Sequence, residues 1–83
     1  MKRTSFRIMS GIDDTKDIVS KYLPSYSEDE VEIVEENGGH TVYVIFDDRN
    51  VKIRELEDCF MHVMMLGSYL DAWNYIQQYS EEI

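Results

Sequence analysis

Three groups of residues have types and spacings that chemistry asks for. The densest runs from Glu28 to Glu36 and holds six carboxylates in nine positions: Glu28, Asp29, Glu30, Glu32, Glu35 and Glu36. In an extended strand, alternate side chains share a face with neighbours about 6.8 Å apart. Glu30, Glu32 and Glu36 then stand on one side, at an interval comparable to that of neighbouring phosphates along a nucleic-acid strand. Such a surface suits the basic groove of a DNA- or RNA-binding protein, and its field speeds the encounter. A solvated strand face whose charge blunts edge aggregation uses the same residues.

The second group is Cys59 and His62, three apart on one helix and able to meet a zinc ion together. Only His40 remains as a further soft ligand, whereas a structural zinc site usually takes four. As nucleophile and base, the pair lacks a visible oxyanion site and a third residue to orient it. A core cysteine beside an ordinary histidine is the expectation. No glycine-rich phosphate loop, nucleophile elbow or His-Glu-x-x-His pattern occurs. Asp47-Asp48-Arg49-Asn50 has turn chemistry without the full calcium-loop pattern. In so short a chain there is little room for a substrate cleft, so no enzyme activity, cofactor or metal is expected.

The third group is apolar. Cys59 to Leu66 is apolar nearly all round, so this helix is sandwiched or covered by another chain. The sheet and the last helix are expected to cover it between them; otherwise Met61, Met64 and Met65 form a malleable patch for a homodimer or partner. Tyr26 and Tyr43 beside the carboxylates, and Tyr75 farthest from the apolar face of its helix, are candidate interface anchors.

Composition bounds what these groups can serve. The chain has 83 residues, 43% hydrophobic and 12% aromatic, which is one small domain with a core. Against 8 Lys and Arg stand 17 Asp and Glu, a net charge of −9. That balance excludes direct nucleic-acid binding as the default and disfavours anionic membrane surfaces. A single cysteine forms no internal disulfide, and the basic start has no apolar run behind it, so a cytoplasmic location is expected, the bacterial host cytoplasm if the chain is phage-encoded. The charge is uneven. Residues 1–24 carry a net +2, residues 25–54 a net −5, and residues 55–83 a net −6 with no Lys or Arg.

The elements that position these residues follow from periodicity. Thr4–Ser10 alternates as a strand. Asp14 and Asp17 mark a helix start, Ile18, Val19, Tyr22 and Leu23 share one face, and Pro24 stops it. Val31–Glu36 and Thr41–Asp47 form a β-hairpin about Asn37-Gly38-Gly39. Val31 and Ile33 side with Val42, Val44 and Phe46, while Glu30, Glu32, Val34 and Glu36 side with Tyr43 and Ile45. The uninterrupted apolar run Val42–Phe46 predicts a central strand. Val51–Ile53 fits a short further strand or the lead-in to a helix, and the strand is the expectation. Leu56, Phe60 and Val63 line one helix face over 55–66, Gly67 ends it, and Ser68-x-x-Asp71 opens another over 69–79. The expected class is α+β, a single domain ordered β-α-β-β-(β)-α-α, with helices on one face of a mostly antiparallel sheet of three to four strands.

In size, acidity and lack of a catalytic signature, the chain resembles small inhibitors carried by phages and mobile elements, among them DNA-mimicking anti-restriction, anti-CRISPR and uracil-DNA glycosylase inhibitor proteins. The likeness is compositional and transfers no residue roles. It implies an inhibitor that binds the basic nucleic-acid-binding surface of a target protein. Glu28, Asp29, Glu30, Glu32, Glu35 and Glu36 would imitate phosphates, with Tyr26 and Tyr43 adding apolar contact. Two other classes carry the same charge: an immunity or antitoxin protein that neutralises a nuclease through its C-terminal helices, and a homodimeric interaction subunit whose acidity serves solubility.

Overall fold

The computed structural model describes residues 1–47, 49 and 51–83; Asp48 and Asn50, half of the expected 47–50 turn, lie outside the described residues. The element order is β1 (Lys2–Ile8), α1 (Ile12–Tyr22), β2 (Val31–Glu36), β3 (Gly39–Phe46), α2 (Ile53–Val63), α3 (Tyr69–Gln78) and β4 (Glu81–Glu82). Four antiparallel strands form one sheet in the order β2-β3-β1-β4. The α+β class and the β-α-β-β-α-α order are as the sequence predicts.

Alternation in β1 buries Thr4, Phe6 and Ile8 beneath the helices and leaves Arg3, Ser5 and Arg7 on the open face. Helix α1 opens from an extended Gly11 with no side-chain cap, rather than from a capping Asp14. Asp13 and Asp14 fall in its first turn, where the helix dipole favours them. The β2–β3 turn is Asn37-Gly38, with φ of 50° and 80°. Two consecutive positive-φ residues define the type I′ turn, whose twist matches the strands it joins. The register pairs Val31 with Val44 and Ile33 with Val42, so the expected division of faces holds. β3 lies between β2 and β1, and Val42, Val44 and Phe46 are at most 1% exposed.

Residues 51–53 are not a strand. Val51 and Lys52 form a turn, Lys52 occupies the N-cap position, and Ile53 begins α2. The β-branched residues suggested extension, but a helix starting at Ile53 sets it in line with Leu56 and Phe60 on the face turned to the core. The fourth strand is instead β4, whose Glu82 and Glu81 pair with Lys2 and Arg3. Two glutamates have poor strand propensity, so local sequence gives no hint of it.

Helix α2 packs against α1 on one side, α3 on the other, and β1 beneath. Phe60 is fully buried, edge-on to Phe6 with ring centroids 5.4 Å apart. The helix ends at Val63 with Met64 as its C-cap, short of the expected stop at Gly67: Met65 has φ of 55°, and the Leu66 N–H reaches back to the Met61 carbonyl at 3.0 Å. This is a Schellman closure with methionine in the left-handed position that glycine usually takes. Ser68 caps α3 as expected, its Oγ accepting from the Asp71 N–H at 3.1 Å. No helix among the described residues is long and apolar enough to cross a membrane.

Candidate functional site

The helix-free face of the sheet carries Arg3, Ser5 and Arg7 from β1, Thr41, Tyr43 and Ile45 from β3, and Glu32, Val34 and Glu36 from β2. Glu30, at the entry to β2, joins this face, so the alternation of Glu30, Glu32 and Glu36 is as the sequence predicts. Their surroundings differ sharply. The two oxygens of Glu30 lie 2.8 and 2.9 Å from the Lys52 ammonium, and one also accepts from the Ser27 N–H. The bond from Lys52 is the main reason its carboxyl is held below the usual carboxylate range. Glu36 accepts from the Thr41 hydroxyl at 3.0 Å and the Tyr43 hydroxyl at 3.2 Å, with Arg7 3.9 Å away. Glu32 is exposed and has no partner among the described residues.

Glu28 and Asp29 are exposed in the turn before β2. With Glu32, Tyr43, Ile45 and Arg3 they line a shallow depression of about 300 Å³. Arg3 lies 5.2 Å from the Tyr43 ring centroid and pairs with Glu81 at 2.5 Å, so its charge is already engaged. Glu35 points to the helix side at the sheet's edge; its side chain is 85% exposed, 3.8 Å from His40. The expected set therefore divides. Glu28, Asp29, Glu32 and Glu35 are outward-facing charge around the start and edge of β2, whereas Glu30 and Glu36 are bonded internally.

The expected aromatic anchors divide too. Tyr43 is half-buried on the open face beside the depression. Tyr26 packs against the core, donates its hydroxyl to the Lys52 carbonyl at 3.1 Å, and stacks beneath the Lys52 ammonium. Burial, with Glu55 and Glu30 nearby, raises its phenol pKa. Tyr75 lies 5.7 Å from the Phe60 ring and 4.6 Å from Tyr79, as part of the core margin. Met61 and Met64 are half-buried against the core, and only Met65 of the three is exposed. The expected cover of this helix by the sheet and the last helix is joined by α1, which also packs against α2.

Cys59 is fully buried, and burial pushes its thiol up to about 12, opposite to the activation a nucleophile needs. His62 is exposed and stacks on Tyr22 at 4.8 Å. Among the described residues, no three His, Cys, Asp or Glu side chains converge to hold a metal ion.

One feature invisible to local patterning is a groove of about 410 Å³ between α1 and β2, walled by Val19, Tyr26, Val31 and Ile33 with Lys16 and Glu28 at its rim. It lies where α1, which packs on α2, stands beside the edge strand. The chain matches no family model, and no curated protein or solved structure matches it either.

Proposed function

We propose that the protein is a small acidic inhibitor that binds the basic nucleic-acid-binding surface of a target protein. The observation that carries this reading is the outward set Glu28, Asp29, Glu32 and Glu35. Arg3, Arg7, Arg49, Lys52 and Arg54 each lie against an Asp or Glu. Internal pairing therefore takes up much of the positive charge and leaves these carboxylates to face a partner. Recognition rests on an acidic turn and strand edge with Tyr43 beside them, more than on a phosphate-spaced row of three. Basic proteins would be steered to it, with salt weakening the complex steeply.

Immobilised protein should retain a nucleic-acid-binding protein from bacterial lysate, released by rising salt and displaced by added nucleic acid. Reversal of Glu28, Asp29 and Glu32 to Lys should weaken retention by about 100-fold while the circular dichroism spectrum stays unchanged. Undiminished retention by the reversed protein overturns the reading.

A second reading, neutralisation of a nuclease through the C-terminal helices, is favoured by the exposure of Leu70 at 67% and Tyr79 at 54%. Under it, nucleic acid does not compete, and Leu70→Glu rather than the charge reversal releases the partner.

A further inference from the structure

We infer that the free edge of β2 takes up an extended, basic segment of the partner as a fifth strand of the sheet. This rests on the reading of the partner as basic and specifies how it is held.

β2 is the end strand of the sheet. Ile45 N–H donates to the Glu30 carbonyl at 2.8 Å, which sets the phase of the ladder. From that phase, Glu32, Val34 and Glu36 turn their backbone groups towards β3, whereas Val31, Ile33 and Glu35 turn theirs away. The outer edge thus presents three N–H and three C=O groups in the pattern an antiparallel strand would satisfy.

Side-chain positions specify the segment further. An added strand sends alternate residues to the helix side, over the groove walled by Val19, Tyr26, Val31 and Ile33, where apolar side chains are complementary. Its other residues face Glu32 on the open side, with Glu28 and Asp29 at one end. No Lys or Arg lies on β2 itself. The matching sequence is therefore one that alternates apolar and basic residues.

A second copy of this chain fits poorly. Antiparallel pairing of two β2 strands about Val34 would set Glu32 opposite Glu36 twice, and like charges directly opposed are destabilising. The same carboxylates that discourage self-pairing attract a basic strand.

The test uses wild-type protein and three capped hexapeptides: alternating Lys-Val-Lys-Val-Lys-Val, its scramble Lys-Lys-Lys-Val-Val-Val, and the alternating peptide N-methylated at every second amide. Binding is measured by titration at low salt, and amide exchange is followed by NMR. The alternating peptide should bind about tenfold tighter than either control. It should slow exchange at Val31, Ile33 and Glu35 without changing Glu32 or Val34. Equal, salt-sensitive binding of all three peptides with no slowed exchange overturns strand addition while leaving the acidic-surface reading standing. Failure of all three to bind at low salt overturns both. Slowed exchange at the same amides on concentrating the protein alone replaces the basic segment with a second copy.

Discussion

Lys52 and Glu30 are joined across 22 residues by two hydrogen bonds, at 2.8 and 2.9 Å, with both side chains about three-quarters buried. The pair fastens the turn that leads into β2 to the start of α2. Tyr26 adds a second tie by donating to the Lys52 carbonyl, and Glu55 a third by accepting from the Ser25 N–H at 3.0 Å. The turn that carries Glu28 and Asp29 is therefore positioned from below by an internal network, and the charges it presents stand on a fixed base.

Lys52→Met should lower stability by about 1–2 kcal/mol, because it leaves a largely buried carboxylate without its cation. The measurement is the urea midpoint at neutral pH. Glu30 titrates below its unfolded value in the native state, so its contribution is present above the unfolded pKa and is lost as pH falls through the folded one. The destabilising effect of Lys52→Met should therefore shrink as pH is lowered through that window. An effect that persists undiminished in acid would show that packing of the lysine stem, not the ion pair, was lost.

Glu57 works in the opposite sense. It is 8% exposed, and burial raises its carboxyl above the usual range, with Arg54 at 3.4 Å a partial offset. The native state then holds its proton more tightly than the unfolded chain, so stability falls as pH rises from the unfolded pKa through the folded one. Glu57→Leu should abolish that decline and raise stability at pH 7 by about 1 kcal/mol, with less gain near pH 4. Thermal melts at the two pH values separate these outcomes.

Met65→Gly should stabilise the fold. Its φ of 55° is unfavourable for a side chain bearing Cβ, and the side chain is 89% exposed, so little packing is forfeited. A gain of about 0.5–1 kcal/mol is expected, read as a higher melting temperature. A loss would mean that Met65 makes a contact in solution that its exposure conceals.

Much of this architecture follows from local rules. Asn37-Gly38 can only be a tight turn of positive φ, and once the turn is placed, period-two alternation determines which hairpin residues face the helices. Pro24 and Ser68 mark helix limits because one blocks the helical region before it and the other supplies a capping oxygen. These are properties of a few neighbouring residues. Local rules mislead where two elements compete for the same residues. Val51–Ile53 has strand-forming side chains, yet Ile53 is worth more to the core on the first turn of α2. Gly67 was the conformationally cheaper helix stop, but Met65 takes the left-handed position and absorbs the strain.

The amino-acid sequence by itself determined where the negative charge lies along the chain and that Glu30, Glu32 and Glu36 share one face. Only the tertiary structure decided which of those charges remain outward. Lys52 reaches Glu30 from 22 residues away, and Thr41 and Tyr43 reach Glu36 across the hairpin, so the even row becomes two bonded carboxylates and one with no partner among the described residues. Charge is a property of the residue, but the charge available to a partner depends on which donors the fold brings within hydrogen-bonding distance. The groove beside β2 has the same origin, since its walls come from α1, the turn at Tyr26 and the edge strand, which only the fold sets side by side.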